Sequence, residues 1–259
     1  MAASASLTTL QLLLIAPAAV LAGAVNAVAG GGSLISFPAL TAVGLPPLMA
    51  NVTNTLALLP GYGGATLAQR QELNSQGRRL LGFVPAAALG GLLGALLLLR
   101  SGEQLFADLV PWLILLGTGL LALQSPLRRW LLSRPVGPSP RQLELAAAGP
   151  VFLAAIYGGY FGAGLGVILL AVLAVLLPDT LNRLNGLKQA LALVINLAAA
   201  MLLARSSQVH VGAAVVMAAG SVVGGGLGGR LARRLNPERL RSAVVGLGLL
   251  LAMVFFLRR

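Results

Sequence analysis

From Met1 to Gln69 the chain carries no Lys, Arg, Asp, Glu or His. A helix rises about 1.5 Å per residue, so an uncharged apolar run of that length can cross a hydrocarbon core of about 30 Å more than once. Composition gives the same answer: 58% of the 259 residues are hydrophobic and only 9% are charged, against roughly 25% charged in soluble domains. There is too little polar surface for a water-soluble fold. A secretory signal peptide would open with a basic stretch; none is present, so the first apolar segment is expected to remain as a membrane helix.

The formal net charge of +12 raises the question of nucleic acid, since Lys and Arg neutralise phosphate. Here the basic residues occupy short breaks between apolar runs, without an amphipathic basic face or interleaved aromatics, which argues against a nucleic-acid partner. The chain has no Cys and one His. Disulfides, thiolate metal sites and multi-histidine sites are therefore excluded.

Charges, Pro and Gly divide the chain into ten apolar segments: 7–29, 34–43, 49–69, 80–99, 105–123, 143–160, 167–177, 184–204, 209–229 and 240–257. The second and seventh are too short to cross the core as helices, and each directly follows a glycine cluster. A pattern also recurs at an offset of 134 residues without a gap: Gly30, Gly32 and Asn51 align with Gly164, Gly166 and Asn185. Such duplication, with glycines interrupting apolar segments at matching places, is characteristic of transporters built from repeats.

Arginines set the expected orientation. The breaks holding Arg70, Arg78 and Arg79, then Arg128, Arg129, Arg134 and Arg141, then Arg230, Arg233, Arg234, Arg239 and Arg241 are basic, whereas those with Arg100 and Arg205 are poor. The positive-inside rule makes the basic breaks cytoplasmic and both termini periplasmic. The order of rich and poor breaks reverses between halves, as inverted halves require, provided that each short segment crosses or forms a re-entrant hairpin with the helix before it. The expected fold is an all-α polytopic membrane protein with two inverted-topology repeats. It has about eight to ten transmembrane segments, two of them short or re-entrant after the Gly-rich breaks. Residues 1–124 form the first repeat, 125–141 a Pro/Arg-rich linker and 142–259 the second repeat.

Inside lipid every backbone N–H and C=O needs a partner. Helices broken at Gly30, Gly31 and Gly32, or at Gly162, Gly164 and Gly166, are expected to leave donors at helix N-termini, where an anion fits. The competing explanation is close helix packing by small residues. Asn51, Thr53 and Asn54, and their counterparts Asn185 and Lys188, add neutral donors and one positive charge. The three-residue spacing puts Asn51 with Asn54, and Asn185 with Lys188, on one helical face. Lys188 can also snorkel to the interface. Asn26, Ser33, Gln189 and Asn196 extend the candidate set, although a single polar residue in an apolar run also serves for interhelical hydrogen bonds. Tyr62, Tyr157 and Tyr160 can line a pathway or simply pack. Gly220, Gly224 and Gly228, flanked by Gly225, Gly226 and Gly229, read as a helix-packing ladder.

Enzyme motifs are lacking. Gly162-Ala163-Gly164-Leu165-Gly166 does not have dinucleotide-binding spacing, and no P-loop, metal cluster or nucleophile–base set is visible. The expectation is no catalytic residue, no metal and no cofactor.

The run from Ala22 to Pro38 through Asn26, Gly30-Gly31-Gly32 and Ser33, followed by Gly44-Leu45-Pro46-Pro47 and Ala50-Asn51-Val52-Thr53-Asn54, resembles the sulfite exporter TauE/SafE family. Gly158-Gly159-Tyr160-Phe161-Gly162-Ala163-Gly164-Leu165-Gly166 is similar to that family's second-half motif, so the resemblance covers essentially the whole chain. It implies a bacterial-type inner-membrane permease for sulfite, sulfonates, sulfoacetate or other organic anions, with site residues at the matching Gly and Asn/Lys positions. Leu165 and Val167 stand where the first half has Gly31 and Ser33, and Leu184 where it has Ala50, which implies an asymmetric site. The expected function is a secondary transporter for a small anion working by alternating access. A passive anion channel and a non-transporting scaffold are the alternatives. The expected partners are the anion and the lipid bilayer, with room left for a coupling ion and a homo-oligomer.

Overall fold

The computed structural model describes residues 7–28, 31–133, 141–231 and 237–257. They fold into helices α1 (Thr9–Val28), α2 (Ser33–Ala42), α3 (Pro47–Ala68), α4 (Arg70–Leu73), α5 (Gly77–Leu132), α6 (Arg141–Tyr160), α7 (Leu165–Leu176), α8 (Leu181–Leu203), α9 (Val211–Leu231) and α10 (Pro237–Leu257). No strand occurs among the described residues. α5 is two limbs meeting at Gly102, whose φ of 71° is open to glycine and strained for other residues. α3 opens with Pro47 at its first position, where the missing N–H costs nothing.

Among the described residues four helices are long and apolar enough to cross a membrane: α1 over Thr9–Asn26, α5 over Gly77–Leu127, α8, and α10 over Glu238–Leu257. Large apolar side chains point outward along them, including Leu13, Leu14, Trp112, Leu116, Leu249 and Met253. A surface of that kind is stable in lipid. The shorter apolar helices α2 and α7 stay inside, with Leu34, Phe37 and Leu40 of one and Leu165, Leu169 and Leu173 of the other buried.

Helix starts recur at the same offset as the sequence pattern. α3 begins at Pro47 and α8 at Leu181, the first limb of α5 at Gly77 and α9 at Val211. Two seams of glycine hold the bundle. Between α1 and α9, a Cβ on Gly23 would stand 2.2 Å from the Ser221 carbonyl oxygen, and one on Gly224 would stand 1.9 Å from that of Val20. Between α5 and α6, a Cβ on Gly94 would lie 2.1 Å from the Ile156 carbonyl oxygen, and one on Gly159 2.2 Å from that of Gly91. Backbones approach this closely only without side chains.

The connections gather at two ends of the bundle. At the first, Gln11 Nε2 donates to the Val43 carbonyl, Leu7 N–H to His210 Nε2, and Leu48 N–H to Glu103 Oε1. The chain thus enters through α1 and returns through α2 to the same end. The last turn of α10 packs on the second limb of α5, with the Phe256 ring 5.0 Å from that of Trp112. At the second end, Gln76 Nε2 donates to the Arg183 carbonyl, and Asp179, between α7 and α8, pairs with Arg79 and Arg183. Burial raises the Asp179 carboxyl, but hydrogen bonds from Arg183, the Thr180 N–H and Arg79 outweigh it and hold the group below the ordinary carboxylate range.

α5 continues through Pro126 to Leu132, so residues 125–132 of the expected linker are helical. The Pro-rich run 134–140 lies outside the described residues, as do Gly30 and the arginines at 233 and 234. Gly220 and Gly224 pack against α1 as expected of a ladder, whereas a Cβ on Gly226 would meet nothing within 4 Å and one on Gly225 only the Gly23 carbonyl at 4.0 Å. Those two glycines have a different neighbour: open space.

Candidate functional site

Two helices begin in the middle of the bundle, and glycine makes both starts. Gly164, the residue before α7, has φ 79° and ψ 2°, and Gly162 also has φ 79°. Before α2, Gly31 has φ 84°. Residues with a Cβ rarely adopt such angles. A Cβ on Gly164 would also lie 3.2 Å from the Gly117 carbonyl oxygen. Tyr157 braces the second break by donating its hydroxyl to the Ala163 carbonyl.

Around these starts lies a cavity of about 270 Å³. The second half lines it with Gly162, Gly164 and Gly166 of the break and with Asn185, Lys188 and Gln189 of α8. From the first half come Asn26, Gly31 and Ser33. Tyr62, Gln69, Gln124 and Asn182 complete the polar wall. Of these, Gln69, Gln124 and Asn182 were not anticipated. Gln69 and Asn182 sit at helix ends and Gln124 where an apolar run stops inside α5, places where an uncharged polar residue in sequence is indistinguishable from one facing the membrane interface.

Lys188 is the cation of this cavity. Its Nζ donates to Asn185 Oδ1 at 3.1 Å, as their three-residue spacing allows. Its stem crosses Gly166, with Cδ 3.8 Å from where a Cβ would stand. Among the described residues no carboxylate pairs with it: Asp179 holds Arg79 and Arg183, Glu238 meets Arg241, and Glu103 accepts from Leu48. A desolvated ammonium without a counter-charge favours an anion in the space beside it. The backbone contributes less than broken helices suggest. The Leu165 N–H is already bonded to the Gly162 carbonyl, and those of Val167 and Ile168 to the Gly164 carbonyl.

Asn51, Thr53, Asn54, Asn196 and Gly32 lie elsewhere. Asn51 Nδ2 donates to the Tyr160 carbonyl at 2.9 Å, and Thr53 Oγ1 accepts from His210 N–H at the start of α9. Asn196 Nδ2 returns to the Ala192 carbonyl within its own helix. Gly32 is pressed against α1, where a Cβ would stand 2.3 Å from the Ala22 carbonyl oxygen. Asn51 and Asn54 are 1% and 3% exposed, yet the Oδ1 of each is buried without a hydrogen-bond partner. Groups left that way cost about 1–3 kcal/mol each.

Beside Tyr160, whose carbonyl accepts from Asn51, aromatic rings pack into a cluster. The Phe37 ring lies 5.4 Å from Phe161, 6.5 Å from Phe106 and 6.2 Å from Phe255. The residues 134 positions away from Phe37, Phe161, Phe106 and Phe255 are Ala171, Ala27, Leu240 and Leu121. The side on which the cavity sits thus has no such cluster of rings at the matching positions.

The family model for the sulfite exporter TauE/SafE matches residues 15–255. A probable membrane transporter protein of Haemophilus influenzae is 30% identical over 227 residues, covering 85% of each chain. The probable membrane transporter protein YfcA of Escherichia coli is 25% identical over 233 residues, 88% of this chain and 82% of its own. A probable membrane transporter protein of a Sinorhizobium species is 35% identical over 98 residues, 38% of each. No solved structure matches the chain. These relatives are membrane transporters rather than enzymes, and the matched stretch contains both glycine breaks and every helix from α2 to α9. With a match extending over nearly its whole length, the chain belongs to the TauE/SafE sulfite exporter family of multi-pass membrane transporters.

Proposed function

We propose that the protein is a secondary transporter for a small sulfur-containing or organic anion, working by alternating access between two inverted halves. The observation that carries this reading is the unequal fate of matched residues. Asn185 and Lys188 line an open cavity, whereas Asn51 and Asn54, their counterparts 134 positions earlier, are buried with unpartnered oxygens. Exchange of the two environments would relieve those oxygens in one state and close the cavity in the other, which is how alternating access works on a duplicated frame.

The paths of the two short helices support the inversion. α1 and α2 leave and return at one end, while α7 runs from the middle toward Asp179 at the other. The arginines of residues 70–79 lie at that second end, which the positive-inside rule makes cytoplasmic. The cavity then faces the cytoplasm, and both termini are periplasmic. The phenylalanine cluster closes the periplasmic side, which speaks against an open channel.

Single-cysteine labelling tests this, since the chain has no native Cys. Asn182 and Leu48 are matched positions, the first exposed at the cavity and the second 3% exposed. Cys at 182 is expected to react from the cytoplasmic face and Cys at 48 from the periplasmic face, with anion shifting the two rates in opposite directions. Labelling of both from one face would rule out inverted halves.

A further inference from the structure

A second cavity, of about 840 Å³, opens between α1, α3 and α9 and shares Asn26, Gln69 and Gln189 with the first. Leu58, Pro60, Ala65 and Val222 give it apolar walls, and Gly61, Gly64, Gly225 and Gly226 supply the rest of its breadth. Neither conformation nor packing asks for these four glycines. None has a positive φ, and a Cβ on Gly61, Gly64 or Gly226 would meet nothing within 4 Å. Glycine inside a helix costs roughly 0.5–1 kcal/mol relative to alanine. On the same helix, Gly220 and Gly224 do have a packing reason, because their Cβ atoms would collide with Ala19 and Val20.

The matched region of the other half is filled. The positions 134 from Gly61, Gly64, Gly225 and Gly226 hold Ile195, Ala198, Gly91 and Leu92. There α5 and α8 are in contact, with a Cβ on Gly91 only 2.6 Å from the Ile195 carbonyl oxygen. The open space therefore does not follow from the helix arrangement. It follows from the residues placed at this one seam, and it leads through Asn26 and Gln189 to the cavity of Lys188.

We propose that this groove receives the apolar body of the transported anion, so that the substrate class is an amphiphilic organic anion: a sulfonate or carboxylate head beside Lys188 with a hydrocarbon portion of several carbons along Gly61, Gly64, Gly225 and Gly226. The proposal rests on the anion site described above. An apolar body gains by leaving water for such walls, by roughly fourfold in affinity per methylene buried.

The test is calorimetric binding of methane-, ethane-, butane- and hexanesulfonate to the full chain in lipid nanodiscs. Affinity is expected to rise about two- to fourfold per methylene. In Gly64→Leu and Gly225→Leu the ratio of hexane- to methanesulfonate affinity should collapse toward one. In Gly246→Leu, an equally open glycine outside both cavities, the ratio should stay as in the unmodified chain. If leucine disturbs folding, Gly64→Ala and Gly226→Ala give the same change to a smaller degree. Methanesulfonate binding with no chain-length dependence would overturn this inference and leave the anion site standing, as would a dependence that all the groove variants retain, which reports partition into lipid. Failure of every sulfonate to bind would overturn the anion site itself.

Discussion

The stem of Lys188 lies across Gly166, its Cδ and Cε 3.8 and 3.9 Å from where a Cβ would be, so a glycine of the second break and the cavity's cation are direct neighbours. The contact ties the glycine motif to the charge. Lys188→Gln removes the charge together with a donor, and charge-assisted hydrogen bonds contribute about 1.5–3 kcal/mol. Sulfite or sulfonate binding is expected to weaken roughly 10- to 100-fold by calorimetry. Gly166→Val should act in the same direction by pushing the stem aside. Asn54→Ala should cost far less in this state. Unaltered affinity in Lys188→Gln would remove Lys188 from the site.

Asn54 tests alternation from the other side. Its Oδ1 is buried without a partner, and an apolar replacement of similar shape removes a cost of about 1–3 kcal/mol. Asn54→Leu is expected to raise the thermal unfolding temperature of the purified protein while slowing transport, because only the cavity-open state gains. A lower unfolding temperature with normal transport would contradict the exchange of environments.

The break before α7 should be sensitive to a single methyl group. At φ 79° a residue with a Cβ is strained by roughly 1–2 kcal/mol, and at Gly164 the new atom would also meet the Gly117 carbonyl at 3.2 Å. Gly164→Ala is expected to lose both thermal stability and transport, whereas Gly61→Ala, in open space at ordinary helical φ, should keep its stability. Equal stability in the two variants would show that the break tolerates another backbone.

Much of this architecture is legible in the sequence because lipid demands long apolar runs, and charge, Pro and Gly end them. The ten expected segments coincide closely with the helices. What the sequence hides is where a run bends rather than ends. Pro126 does not stop α5, whereas the turn at Gly102 falls in the expected break between the segments 80–99 and 105–123. At the site, the matched Asn and Lys positions are visible as a repeat, but not which set is open. That depends on the rings of Phe37, Phe106 and Phe161, and on side chains such as Gln69, Gln124 and Asn182 that come together only in three dimensions.

Asp179 makes the clamp at the second end of the bundle pH-sensitive. Its carboxyl is held below the ordinary range, so the stability it adds is present above about pH 4, the value of a free carboxyl, and is lost as pH falls through the lower folded value. Asp179→Asn is therefore expected to unfold at a lower temperature than the unmodified chain at pH 5–7, with the gap closing under strongly acidic conditions. A gap that does not change with pH would mean that the arginine pairs contribute nothing to stability, as exposed ion pairs often do.

Counterflow in proteoliposomes addresses the central claim most directly. Vesicles loaded with unlabelled sulfite or sulfonate and diluted into a trace of the radiolabelled anion are expected to accumulate label transiently above equilibrium, with saturation, and Lys188→Gln vesicles are expected to lose most of that accumulation. Equilibration without overshoot, or an overshoot as large in Lys188→Gln as in the unmodified protein, would contradict an anion carrier built on this cavity.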